Sequence, residues 1–368
     1  MTIREKQILN YIRKNPFISQ QELAIHLGIT RSSVAVHIAN LIKKGYIAGK
    51  GYIVNEEQYV AVIGGANIDI QGFTNQSLIL KDSNPGKVKI SLGGVGRNIA
   101  ENLVKLDIQT KLLSAVGGDL YGKKILEECN ISGINMQHTL VLKDSSSSTY
   151  LSILDELGDM QVAISDMDIF DKITVDFIRK KSHVIKNAQL IIVDTNLPQE
   201  VLAYLLNNFK EIPFFLDPVS TSKAKKVKEI IGLFHTIKPN KLEAEILSGI
   251  KIHTKKDLEK AGDYFLSQGV KQVFISLGKD GIFYKDIYSS KHLSAPRLKV
   301  INATGAGDAF MAGLAYSHIH DYKLDTRARF AMAASILALS HENTINPTMS
   351  LENIKKLCEE MNLCLKNI

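Results

Sequence analysis

The chain has 368 residues, 45% hydrophobic and 23% charged, ordinary values for a globular protein with a sizeable core, which exclude a disordered or collagen-like chain. No apolar run reaches the roughly 18–20 residues of a membrane-spanning helix, and the opening MTIREKQILNYIRKN lacks the apolar stretch of a signal peptide. Cys129, Cys358 and Cys364, without paired spacing, indicate neither a disulfide framework nor a zinc site, so the expected setting is a reducing cytoplasm.

The net charge of +7 is unevenly placed: residues 1–55 hold eight Lys and Arg against two acids, and the other 313 hold 37 against 36. A boundary is expected near 55–58, where Asn55-Glu56-Glu57-Gln58 separates two unlike segments. In the first, Ile8, Leu9 and Ile12 share one face of a helix over Ile3–Ile12 that Asn15-Pro16 stops. Ser19, with Glu22 three residues on, caps a second helix over Gln20–Leu27 that ends at Gly28. Thr30 caps a third over Arg31–Lys44, with Val34, Ile38, Leu41 and Ile42 as its buried stripe. Gly45–Ile47 and Gly51–Val54 read as two short strands of a wing.

A helix, a Gly-Ile-Thr turn and a second helix form the helix-turn-helix pattern, and residues 1–55 resemble the winged helix-turn-helix domains of bacterial regulators. The resemblance implies duplex DNA as a partner. Arg31, Ser32, Ser33, Val36 and His37 would meet bases and phosphates, and Lys43, Lys44 and Lys50 the backbone. A docking or oligomerisation module is the alternative.

From Tyr59 short apolar strands alternate with helices, the grammar of an α/β sheet. Strands are expected over 59–64, 110–116, 189–194, 212–217, 235–238 and 273–277. Helices are expected near 96–106, 119–130, 198–209, 240–248, 255–268, 305–319, 323–340 and 351–362. Two polar or β-prone insertions, about 71–92 and 137–165, suit a lid over one end of the sheet.

Three Gly-rich stretches carry the chemistry. In Asn302-Ala303-Thr304-Gly305-Ala306-Gly307-Asp308 the small residues let backbone N–H groups converge at a helix N-terminus, where phosphate oxygens bind. Asp308 beside that loop can take the proton of an attacking hydroxyl; an ordinary Gly-rich turn is the bland reading. Gly93-Gly94-Val95-Gly96-Arg97-Asn98 is neither a Walker A loop nor a GxGxxG fingerprint, and its close backbone approach with the Asn98 amide suits a sugar hydroxyl. Asn67 and Asp69, at the carboxyl end of the first strand, can bind vicinal hydroxyls or merely form a turn.

In order and spacing these stretches, with Asn240-x-x-Glu243 and Ser276-Leu277-Gly278, resemble the ribokinase-like (PfkB-type) carbohydrate kinases over 59–368. The resemblance implies a three-layer α/β/α sandwich with a small β lid, preceded here by the small winged helix-turn-helix domain. It implies ATP and Mg²⁺, with Asp308 as catalytic base and the amides of Gly305, Ala306 and Gly307 as anion hole. Asn240, Glu243, Ser276, Gly278 and Thr304 would serve the nucleotide, Glu243 reaching Mg²⁺ through water. Asn67, Asp69, Gly94 and Asn98 would hold the sugar. Asn302-Ala303 replaces the family's Asp-Thr beside a monovalent-cation site, which leaves potassium open.

Ala163–Asp168 and Leu216–Ala224 resemble the pseudouridine-kinase branch, which often carries an amino-terminal helix-turn-helix, and add Asp166 and Lys223 to the substrate set. The expected reaction is phosphorylation of pseudouridine at the ribose 5′-hydroxyl. Another nucleoside or ribose-like sugar, or a DNA-binding regulator whose kinase-like domain senses a nucleoside, are the alternatives. The expected partners are nucleoside, ATP and duplex DNA but no membrane, and a homodimer is open.

Overall fold

A computed structural model describes residues 1–47, 58–156, 159–296 and 300–361. Contacts divide the chain into two units, Met1–Gln58 and Tyr59–Ile368.

In the first unit, helices α1 (Ile3–Lys14), α2 (Gln20–Leu27) and α3 (Arg31–Lys43) enclose a core of Ile8, Leu9, Ile12, Leu23, Val34, Ile38 and Leu41. The caps follow the sequence. Ser19 and Glu22 form a reciprocal capping box, Gly28 closes α2 in the left-handed conformation, and the Thr30 hydroxyl accepts the Ser33 N–H at 3.2 Å. Two expectations change. Ile42 is exposed, because the stripe of α3 ends at Leu41, and Lys44 is tied to the buried Glu5 carboxylate at 2.8 Å. Gly51–Val54 and Lys50, half of the expected wing, lie outside the described residues.

The second unit begins with β1 (Val60–Ile63), β2 (Asn67–Thr74), β3 (Gly86–Gly93), α4 (Val95–Lys105), β4 (Thr110–Leu113), β5 (Ala115–Gly117) and α5 (Leu120–Ile131). Next come β6 (Leu140–Leu142), β7 (Thr149–Leu154), β8 (Met160–Asp166), α6 (Val175–Lys180) and α7 (Ser182–Lys186). Strand and helix then alternate through β9 (Leu190–Asp194), α8 (Gln199–Asn208), β10 (Phe214–Asp217), α9 (Thr221–Ala224), β11 (Thr236–Ile237), α10 (Lys241–Ser248), α11 (Lys255–Gln268) and β12 (Gln272–Ser276). A hairpin, β13 (Ile282–Lys285) and β14 (Ser290–Leu293), precedes α12 (Ala306–Ile319), α13 (Leu324–Leu339) and α14 (Leu351–Glu360).

Among the described residues, eight strands form one sheet in the order β14-β13-β12-β11-β10-β9-β1-β4. It is parallel from β4 to β12 and antiparallel in the β13–β14 hairpin at one edge. Its parallel strands are apolar throughout because both faces are covered. Val60, Val62 and Ile192 pack with Ile99, Met311 and Phe330 on one side. Ala61, Ile63 and Ile191 pack with Val201, Leu247 and Phe265 on the other. Parallel strands put all their carboxyl ends on one edge, where ligands bind in such sheets. There β9 and β10 finish in register on Asp194 and Asp217.

A separate four-stranded sheet, β3-β2-β7-β8, begins at Asn67 rather than at Gln71, so the Asn67–Asp69 pair lies on its first strand, not at the end of β1. Leu140–Leu142, inside the expected second insertion, instead pairs with β5. The small sheet has two unlike faces. Asp69, Gln71, Lys89 and Ser91 line a cleft. On the alternate positions Ile90, Ile70, Leu151 and Ile164 form one row across all four strands, and Val88, Gly72, Ile153 and Val162 the next. Val88, Ile90, Val162 and Ile164 are exposed.

Candidate active site

Helix α12 starts at Gly305, which has φ 83°. A Cβ there would lie 2.2 Å from the Thr344 carbonyl oxygen, so this turn accepts only glycine without rearrangement. The turn leaves the first N–H groups of α12 without helical partners and places Asp308 in its first turn. Asp308 is buried, and the Asn98 Nδ2 donates to its Oδ2 at 2.8 Å. Asn98 is brought there by α4, whose entry at Gly94 has φ 98° and packs within 2.5 Å (Cβ position to oxygen) of the Gly65 carbonyl.

The carboxyl ends of β9, β10 and β11 supply the surrounding charges. Lys238 is buried and paired with Asp217 at 3.0 Å. Its ammonium would lie 3.2 Å from a Cβ at Gly307, beside the first turn of α12. Burial pushes the Asp308 carboxyl up to about 7, and the Asp217 charge adds to this; the Asn98 hydrogen bond and Lys238 pull the other way. Burial alone would lower the Lys238 pKa, but Asp217 and Glu243, with Asp308, raise it and keep the ammonium charged. Asp194 is buried too, its carboxyl raised by burial, and it accepts the N–H groups of Gly65, Gly96 and Asn196 at 2.8–2.9 Å. It thereby pins the Gly64-Gly65 turn after β1 and the Gly94–Gly96 entry to α4 to the end of β9.

Asn67 and Asp69, two apart on β2, share the face toward the cleft, and the Asn67 Nδ2 donates to Asp69 Oδ1 at 2.6 Å. Burial raises the Asp69 pKa against the pull of Asn67 and Arg97. The cleft, of about 400 Å³, is also lined by Arg97, Asn302, Thr304 and Asn343. The Asn302 amide ties its own loop: Oδ1 accepts the Thr304 N–H and Nδ2 donates to the Glu342 carbonyl, both at 2.9 Å.

Other expected site residues fall differently. Asn240 and Glu243 cap α10 reciprocally, at 2.8 and 2.9 Å, and burial raises the Glu243 pKa, Asp217 adding to it. Ser276 meets Asn240 in an isolated β-bridge, and Gly278 follows with φ 60°. The Lys223 ammonium donates to Asn196 Oδ1 near Asp194, its pKa lowered by burial. Asp166 is not brought to Asp69: it pairs with Thr149, in the row of Ile68, on the opposite face of the small sheet. Asp194, Lys238 and Arg97 were absent from the sequence-based set; the signal available for the first two was a charged residue closing an apolar strand, in QLIIVD and TIK, and for Arg97 its place beside Asn98 in the Gly-rich stretch.

A carboxyl that ionises near neutral pH, next to free helix N–H groups and a buried ammonium, can accept a proton from an alcohol while an anion is held alongside.

In the first unit, Arg31, Ser32 and Lys43 are exposed, and Ser33 and His37 partly so, along α3.

The family model described as pfkB family carbohydrate kinase matches residues 57–351, and one described as winged helix-turn-helix DNA-binding matches residues 1–48. Pseudouridine kinase of Escherichia coli (strain K12) is 44% identical over 307 residues, covering 83% of this chain and 98% of its own. The uncharacterized sugar kinase YeiI of the same strain is 38% identical over 358 residues, 97% of this chain and 99% of its own. A crystal structure from Clostridium perfringens, provisionally described as a sugar kinase, is 44% identical with a TM-score of 0.75, over 83% of this chain and 96% of that one.

Proposed function

The chain belongs to the pfkB family of carbohydrate kinases, and from that premise we propose that it phosphorylates pseudouridine at the ribose 5′-hydroxyl, using ATP. The observation that carries this reading is the buried Asp308 at the start of α12, bonded to Asn98 and flanked by Lys238. The nucleoside is chosen over other sugars on the 44% identity to a pseudouridine kinase and on the polar cleft beside Asp69.

In this reading Asp308 accepts the 5′-hydroxyl proton as the oxygen attacks the γ-phosphate in line. The N–H groups of Gly305, Ala306 and Gly307, with Lys238, stabilise the charge on the transferred group. Asn67 and Asp69 hold ribose hydroxyls and Gly94 admits the sugar against the backbone, while Asn98, expected to hold the sugar, has both ends of its amide engaged by Asp308 and Arg97 and orients the Asp308 carboxylate instead. Ser276, Gly278, Thr304 and Asn240 line the nucleotide side, and Lys223 stands at the substrate side near Asp194. The buried Glu243 and Asp217 carboxylates, close enough for Asp217 to raise the Glu243 pKa, would hold Mg²⁺, which would supply neutralisation of the phosphate charge. The neutral Asn302 amide, spent on its own loop, brings no charge to a potassium ion.

The test is ADP release with pseudouridine, uridine, ribose and fructose as acceptors. Pseudouridine is expected to show the highest kcat/KM, and a preference for ribose or fructose would overturn the substrate. Nucleoside binding without ADP release would favour the other reading, a DNA-binding regulator that senses a nucleoside. Asp69→Ala leaves ribose hydroxyls without their acceptor and should cost about 1–3 kcal/mol of nucleoside binding, read by calorimetry, with ATP affinity little changed.

For the first unit we propose duplex DNA binding through α3. Arg31 and Lys43 are exposed and face phosphates or bases with Ser32, Ser33 and His37, whereas Lys44 is already neutralised by Glu5. Binding should weaken steeply with salt. Arg31→Ala should weaken it further in an anisotropy titration, more on a preferred site than on random DNA if Arg31 reads bases. We also propose a homodimer through the exposed apolar face of the small sheet. Ile164→Lys should convert it to a monomer in sedimentation.

A further inference from the structure

Asn98 reaches Asp308 with one end of a side-chain amide, and an amide has two unlike ends. Turned by 180° it would present its carbonyl oxygen to the carboxyl group. That arrangement repels the ionised form and accepts a hydrogen bond from the protonated one. The orientation of Asn98 therefore decides which protonation state of Asp308 is favoured.

The residue next to Asn98 sets that orientation. Arg97 is nine-tenths buried. Its Nη1 donates to Asn98 Oδ1 at 2.9 Å and, at 3.4 Å, to the Leu92 carbonyl. Its Nη2 donates to Glu101, one helical turn on. Glu101, Arg97, Asn98 and Asp308 thus form one line of alternating acceptor and donor, three of them on α4. A guanidinium has no acceptor atom, so it meets only the carbonyl end of the Asn98 amide and leaves the N–H end for Asp308.

The geometry points to Arg97 as a positioning residue that locks the Asn98 amide with its N–H toward the Asp308 carboxylate, and to Glu101 as the group that holds the guanidinium in place. This rests on the phosphoryl-transfer reading for its consequence in turnover, but not for the orientation itself. The other charged groups facing Asp308 are Asp194 at the end of β9, Asp217 at the end of β10 and Lys238 after β11, with Glu243 of α10 acting on Lys238. The Asn98 side chain is bonded to Arg97 and Asp308 rather than to any of these groups, so Arg97 is the charged partner that sets the amide's direction.

The experiment is the pH dependence of kcat with ATP and pseudouridine for the full chain, Arg97→Met and Glu101→Gln, alongside a ¹³C-carboxyl titration of Asp308 in the free protein. In Arg97→Met the acid limb and the Asp308 midpoint should both rise by about one pH unit, so that turnover near pH 6 falls roughly tenfold and recovers at alkaline pH. Glu101→Gln should move both the same way by less. A loss that is uniform across pH, with the Asp308 midpoint unmoved, would reduce Arg97 to a packing role and overturn the proposal. If Arg97→Met fails to fold, an unmoved midpoint in folded Glu101→Gln overturns it equally. Absence of kinase turnover in the unaltered protein would count against the functional reading alone, because the carboxyl titration needs no substrate.

Discussion

Asp308→Asn is expected to lower kcat by about 10²–10⁴-fold, the range a positioned general base contributes, while nucleoside and ATP affinities stay within a few-fold. The amide keeps the shape of the carboxyl group but cannot take the 5′-hydroxyl proton. Misfolding is separable from this loss. Burial raises the Asp308 pKa to about 7, so between the unfolded value near 4 and that folded value the native state binds the proton more tightly than the unfolded chain. Stability contributed by the protonated form is therefore lost as pH rises through 7. A neutral amide escapes that loss, and Asp308→Asn should melt no lower than the unaltered protein at pH 8. The unaltered enzyme should in turn lose kcat as pH falls through about 7. Near-normal turnover in the variant would remove Asp308 from the base role.

Lys238→Met is expected to be the most damaging single change outside Asp308. The ammonium is buried and offsets Asp217, Glu243 and Asp308. Removing one partner of a buried pair leaves the other charge uncompensated, a cost of about 3–5 kcal/mol, measurable by denaturant unfolding. Turnover at neutral pH should collapse as well, since the pKa of Asp308 rises further without the cation and the bound phosphates lose a counter-charge. Adding Asp217→Asn removes the uncompensated carboxylate and should restore much of the stability without restoring turnover. A double variant that regains both would place Lys238 in the fold only.

The parts of this molecule legible in the sequence are those with local causes. Helices α2 and α3 announce their starts by capping residues, and the apolar strings of β1, β9 and β10 follow from burial on both faces. Asp308 and Asn98 were visible because glycines at 94 and 305 mark the backbone turns that carry them. Asp194, Lys238 and Arg97 were not, because their meaning is spatial. Asp194 and Lys238 are each one charged residue at a strand end until elements far apart in sequence bring them beside Asp308, and Arg97, although next to Asn98 in the chain, shows its part only through its bonds to the Asn98 and Glu101 side chains. The face of Asp166 was equally hidden: strand register decides it, and a shift of one residue reverses it.

The reaction proposed for the Asp308 site is transfer of a phosphoryl group to the primary hydroxyl of a ribosyl nucleoside. Proton-coupled ³¹P NMR of the product from ATP and pseudouridine tests it most directly. Phosphate on the 5′-carbon couples to two protons and should appear as a triplet in the product formed by the unaltered enzyme, and be missing with Asp308→Asn. A doublet, which reports a secondary hydroxyl, or no phosphomonoester at all, would rule out 5′-phosphorylation by Asp308.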